Sequence, residues 1–302
     1  MGAAQMLQVK PINSRQLRSG AWVIVAYDAA PLVLSGEMHA MLSRRHLQDL
    51  ETESPLLWGA LHDAGYLTSQ PGFAGKVPVA PMSKTWRTAR FILWAAGIVL
   101  VPWILWLSIK IGIPHGADVI SAGPHPIGVL MVAVSVAIGT AIPHELAHMF
   151  FGRSRRGQGA LSLGQAVATT ELSHVWAWPV SPRFAAVAAG LVVDALFLVV
   201  FLTAWHIGGS QWPMIAATIV FVRMVWQLRV HRNCDGRHLL KLLLDDPAVE
   251  VEAGSASRGH GSSSASRGAN IWRICSAIGV LVELLMAFYW LIPALLRLIG
   301  AI

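Results

Sequence analysis

Hydrophobic and polar positions follow two regimes along this chain, and the change falls near residue 81. Before it, apolar residues come in short stretches. "AWVIVAYD" (Ala21 to Asp28) and "PLVLSG" (Pro31 to Gly36) read as two short strands. "GEMHAMLSRRHLQDL" and "SPLLWGALHDAGYL" then read as amphipathic helices. Ser54 before Pro55 is a start signal for the second, and Gly65 a stop. Strands and helices in so short a span predict a small α+β domain over residues 1–80. "TSQPGFAGKVPVAPMSK" is a Pro/Gly-rich connector, with residues 81–90 as the linker to the remainder of the chain.

Beyond Arg90 the pattern is no longer amphipathic. Apolar runs approach the roughly 20 residues a helix needs to cross a bilayer. Five candidates appear: Phe91–Ile109, Ile127–Phe151, Phe184–His206, Met214–Leu228 and Ile274–Leu296. The expected fold class is therefore an α-helical integral membrane protein with about five transmembrane helices over residues 91–302. The small N-terminal domain precedes it. "EAGSASRGHGSSSASRGAN" marks a flexible linker, placed at residues 250–270.

Composition supports the second regime. Of 302 residues, 55% are hydrophobic and 13% charged, about half the charged share of a soluble domain. Thirteen tryptophans suit membrane interfaces. The expected partner is the lipid bilayer. The net charge of +7 does not point to nucleic acid, because the basic residues flank apolar runs instead of forming a stripe with aromatics. They set orientation instead. Lys84, Arg87 and Arg90 precede the first run, Arg153 to Arg156 follow the second, and Arg229, Arg232, Arg237 and Lys241 follow the fourth. By the positive-inside rule the N-terminus is cytosolic and the protein a multi-pass component of the cell membrane. Cys234 and Cys275 stand in separate segments and suggest no disulfide, and the N-terminal stretch lacks a signal peptide's apolar core.

Within the second run lies "TAIPHELAHMFFG" (Thr140 to Gly152). Ionisable groups are costly in hydrocarbon and mark function there by default. His144 and His148 are one helical turn apart and share a face, a spacing that lets two imidazoles bind one metal while Glu145 stands beside them as a general base. Neutral imidazoles suit Zn2+, and a catalytic zinc takes three protein ligands. Asp235, in "HRNCDGRHLL" just past the fourth run, is the expected third, with Gly236 letting the backbone turn closely beside the metal. Haem ligation would give Glu145 no role. A lone membrane histidine is ordinarily a packed, hydrogen-bonded group, and an Asp-Gly after a helix ordinarily a turn, so the case rests on the three residues meeting.

These motifs resemble the site-2 protease family of intramembrane zinc metalloproteases, in particular peptide zinc metalloproteases. "PHELAHMFFGRS" is similar to the family's first motif, "RFAAVAAGLVVDALFLVVF" to its Ala-Gly-containing helix and "RVHRNCDGRHLLKLLLDDP" to its later Asp-Gly, covering residues 127 to 247. The glycine of "AAGLVVD" lacks the usual following proline, and Asp194 stands where Asn is frequent. The resemblance implies a site-2 protease-like core and a substrate contact at Asp194. It also implies a strand-rich, membrane-associated element within residues 157–179, where Glu171 and His174 read as interfacial polar groups. Arg223 and Glu283 are further charged positions inside apolar runs, without an assigned role.

The N-terminal segment is similar to the small winged-helix recognition domains of ribosomally made peptide clusters. That resemblance implies a leader peptide added to an edge strand at Val23–Ala26, with Val23, Ile24 and Val25 as docking residues. A DNA-binding use is disfavoured, since "SPLLWGALHDAGYL" carries no Lys or Arg. Together the expectations are of an intramembrane zinc endopeptidase with its active site near the cytosolic face. Its substrate would be a small precursor peptide in the maturation of a ribosomally synthesised natural product, of daptide type. The alternatives are a regulatory site-2 protease cutting a membrane-anchored signalling protein, and a non-catalytic membrane binding protein.

Overall fold

The computed structural model describes residues 7–44, 47–70, 73, 75–122, 126–153, 172–257 and 266–300. The N-terminal part begins with strands β1 (Gln8–Val9), β2 (Ile12–Gln16), β3 (Trp22–Ala26) and β4 (Leu32–Leu34). Helices α1 (Gly36–Arg44), α2 (Leu47–Glu53) and α3 (Pro55–Asp63) come next, with a short β5 (Leu67–Thr68) after them. β2, β3 and β4 form an antiparallel sheet in that order, and β5 returns to pair with β1. β3 is therefore the central strand and not an edge. Ile24 lies opposite Ser14 on one side and Leu32 on the other, so both rows of its backbone groups are taken. Val23, Ile24 and Val25 are fully buried, which corrects their assignment as peptide-docking residues.

The reason is the alternation of the strand itself. Ile24 and Ala26 face Leu50, Leu57, Leu61 and Tyr66 of the domain's own core. Val23 and Val25 face the opposite way, onto Trp176, Trp178, Ala186, Val187 and Leu242 of the membrane part. Fully burying each such valine contributes on the order of 1.5–3 kcal/mol. The small domain is thus packed on the membrane helices. The proposed 81–90 linker is largely helical: α4 already starts at Lys84, and buried Arg90 donates from Nη1 to the Pro81 carbonyl at 2.8 Å.

Among the described residues, four helices are long and apolar enough to cross a membrane. They are α4 (Lys84–Ile111), α6 (Pro126–Gly152), α7 (Val180–Gly208) and a composite of α11 (Arg267–Met286), a π-helical turn and α12 (Ile292–Leu298). This gives the chain the character of a membrane-embedded protein. The fourth expected span is present as α8 (Gln211–Gln227), but its 17 residues reach only about 25 Å, short of the hydrocarbon thickness. Between the long helices lie α5 (Gly116–Ser121), a 3₁₀ turn at Ser173–Ala177, α9 (Asp235–Leu244) and α10 (Val249–Ser257). α10 and the start of α11 shorten the flexible segment expected at 250–270. The strand-rich element falls mostly on residues outside those described.

α7 is the axis of the membrane part and packs against α4, α6 and α8. Its run "AAVAAG" explains this, because small side chains let neighbouring backbones approach. Ala185, Ala186, Ala189 and Gly190 are all buried. α6 presents one narrow buried stripe, Thr140, His144, His148 and Gly152, at intervals of four residues. The histidines lie on the seam between α6 and α7.

Candidate metal centre

His144 and His148 stand eight and four residues before the end of α6, so about 12 and 6 Å from it. Each is only 3% exposed. Nδ1 of His144 lies 3.0 Å from Oδ2 of Asp194, and Nδ1 of His148 lies 2.8 Å from the Ala186 carbonyl oxygen. A carboxylate and a carbonyl only accept, so both histidines carry their hydrogen on Nδ1. In the neutral form that binds metal, each Nε2 then presents a lone pair, and the two nitrogens face each other at 3.1 Å. Oδ2 of Asp235, the first residue of α9, completes the group at 3.3 Å from His144 and 3.2 Å from His148.

Atoms this close are held together by a proton on an imidazole Nε2 or by a metal cation among them. A tetrahedral ion bonded at 2.0–2.1 Å separates its ligands by about 3.3 Å. The observed separations match that figure. His144, His148 and Asp235 could hold a metal ion, and a donor set of two neutral imidazoles and one carboxylate fits a catalytic zinc site.

Gly190 makes this geometry possible, and its specific role is not evident from sequence. A β-carbon there would sit 2.4 Å from Nε2 of His148 and 2.6 Å from Nε2 of His144, so α7 can approach the imidazoles only through a glycine. Gly236, expected beside the metal, has a different function. Its missing side chain clears the backbone of Leu228, 2.2 Å from where a β-carbon would be, and so packs the start of α9 against the end of α8.

Asp194 requires correction as well. It is fully buried, and its two oxygens are occupied by His144 and by the guanidinium of Arg223. With no exposure to solvent it is closed to a substrate, and it holds the His144 ring. Arg223 and Asp194 are opposite charges placed in two apolar runs. That pairing of signs was the available clue to their contact. Glu145 follows His144 on α6 and is half-buried. Glu283 pairs with Arg229 Nη1 at 2.9 Å and His231 Nε2 at 2.7 Å. His174 Nε2 donates to the Gly152 carbonyl at 2.6 Å, so it is outside the metal group, while Glu171 lies outside the described residues.

Comparison of the chain with protein-family models, with curated proteins and with solved structures finds no match, so the functional reading rests on this geometry and the motifs that carry it.

Proposed function

We propose that the protein is an intramembrane zinc-dependent endopeptidase of site-2 protease-like construction. The observation that carries this is the convergence of His144 Nε2, His148 Nε2 and Asp235 Oδ2, next in sequence to Glu145, on a helix apolar enough to span a membrane. When bound there, zinc supplies Lewis-acid activation of water and of the scissile carbonyl. Glu145 takes the proton from the attacking water and delivers it to the leaving amine nitrogen, so that the amide C–N bond breaks as the new C–O bond is kept. Asp194 and the Ala186 carbonyl hold the two imidazoles with their donor atoms toward the metal. The distance of the site from the end of α6, together with the basic residues just beyond that end, supports a position near the cytosolic face.

A small precursor peptide remains the substrate class we favour, because the N-terminal domain, with its likeness to peptide-recognition domains, packs on Ala186 and Val187 of the same helix that shapes the site. The test uses the full chain in liposomes with zinc and a library of hydrophobic precursor-like peptides, read by mass spectrometry. The wild type cleaves members of the library. Glu145→Gln holds one equivalent of zinc and cleaves at least about a hundredfold more slowly. Undiminished cleavage by Glu145→Gln, or failure of the wild type to bind zinc, overturns the assignment.

A further inference from the structure

We infer that Arg223 is a positioning residue for the metal centre, acting through Asp194 to fix the hydrogen and the orientation of His144. The inference rests on reading the site as a metal centre. The two histidines are held by different devices. His148 donates to a backbone carbonyl, whose place is set by α7 itself. His144 donates to a side-chain carboxylate that has no exposure to solvent. A carboxylate in such surroundings is strongly disfavoured unless it is paired and hydrogen-bonded. A single neutral imidazole N–H does not meet that need. Arg223 does.

Its guanidinium grips both oxygens of Asp194, through Nε to Oδ2 at 3.3 Å and through Nη2 to Oδ1. Nη1 donates to Thr140 Oγ1 at 2.7 Å and to the Ala137 carbonyl at 3.2 Å. Thr140 spends its own proton on the Val136 carbonyl at 2.7 Å, which leaves a lone pair for Arg223. Thr140 is one turn before His144 on the same buried stripe of α6. One side chain from α8 therefore ties α6 to α7 beside the first ligand. Guanidinium has donors and no acceptor, so the carboxylate it holds can only accept from His144. The hydrogen stays on Nδ1, and in the neutral, metal-binding form the Nε2 lone pair faces His148 and Asp235.

A purely structural clamp and a positioning residue make different predictions. Zn2+ and Co2+ affinity are measured in detergent by competition with a chelating dye, with the visible spectrum of the Co2+ form and the melting temperature of the metal-free protein recorded for each variant. Arg223→Met is expected to weaken metal binding by about 10- to 100-fold, the usual effect of removing an outer partner of a ligand, and to change the Co2+ spectrum. In an Asp194→Asn background the same substitution should change affinity by less than about twofold, because the partner through which it acts is already gone. Arg223→Lys keeps the charge without the two-pronged grip. It should melt near the wild type yet bind metal more weakly, which keeps the test decisive if the methionine variant folds poorly. Wild-type affinity in Arg223→Lys, or an undiminished effect of Arg223→Met in the Asp194→Asn background, overturns the inference. A wild type that binds neither ion overturns the metal reading itself and this inference with it.

Discussion

Asp194 and Asp245 are both almost excluded from solvent, and both are gripped by arginine, yet they serve different purposes. Asp245 ends α9. It accepts from Arg15 at 2.7 and 3.3 Å, from Arg183 at 2.8 Å and from the Arg18 backbone N–H at 3.0 Å. Its contacts are thus all with donors, and the node is closed. It ties the N-terminal sheet, the start of α7 and the end of α9 together, which is a structural task. At Asp194 the chain of contacts continues. Arg223 donates to Asp194, Asp194 accepts from His144, and the far nitrogen of His144 then meets two other acceptors. A network whose carboxylate meets only donors holds elements in place. A network that ends in two imidazole nitrogens and a carboxylate facing one another offers a place a cation could occupy.

Exchanging the two kinds of node gives the largest expected effects. Asp235→Ala removes a proposed ligand and should weaken metal binding by more than the roughly 10- to 100-fold typical of outer partners. The metal-free protein should melt closer to the wild type than Asp245→Asn does, since Asp235 meets two imidazoles where Asp245 meets two arginines. Asp245→Asn should do the reverse. It leaves two arginines around a neutral group and should destabilise the fold by about 3–5 kcal/mol, the scale for breaking a buried pair, with metal affinity within about threefold. Chelator competition and thermal unfolding on both variants decide it. If Asp245→Asn loses zinc as Asp235→Ala does, the closed node also governs the site, and the contrast between them fails.

Legibility in the sequence divides along the same line. The meeting of His144 and His148 could be read because it is local to one helix, where a spacing of four fixes a shared face. Asp235 could be read because it lies just past an apolar run that ends on the same side. The pairing of Arg223 with Asp194 was not read. Arg223 and Asp194 meet across 29 positions, and neither run has a period that encodes the other. The mistaken edge strand has a physical cause too. "WVIVA" is apolar throughout because both of its faces are covered, one by its own helices and one by the membrane part, and a continuous apolar run marks a central strand. β2, "INSRQ", is polar in its last four positions, and its Arg15 serves the junction with Asp245 and Trp176.

Gly190→Ala should have a smaller effect, but one visible in both measurements. The added methyl would overlap both imidazoles, so the rings or α7 must shift. Overpacking of this kind destabilises by about 1–3 kcal/mol, and displaced ligands should weaken metal binding by about tenfold. Gly97→Ala is the control. A β-carbon there meets only Val192 at an ordinary 3.6 Å, so the change should be neutral, or stabilising by up to about 1 kcal/mol through helix propensity. Equal behaviour of the two variants would show that α7 does not need its close approach to the site.

The smallest effect expected is in acid, and it isolates the closed node. Burial pushes the Asp245 carboxyl up from its ordinary value of 3.8, but the hydrogen bonds and charges of Arg15, the Arg18 backbone and Arg183 outweigh burial and hold it lower. A carboxyl that is more acidic folded than unfolded contributes stability that is complete above the unfolded value and is lost as pH falls through the folded one. The stability difference between wild type and Asp245→Asn should therefore stay constant from pH 7 to about pH 5 and narrow below about pH 4. The slope can be no steeper than about 1.4 kcal/mol per pH unit, the limit for one proton. Chelator-treated protein must be used for both, so that acid release of metal from the histidines does not enter. A difference that already narrows between pH 7 and pH 6 would point to a histidine as the titrating group, and Asp245 would then not be what holds the N-terminal sheet to α7 and α9.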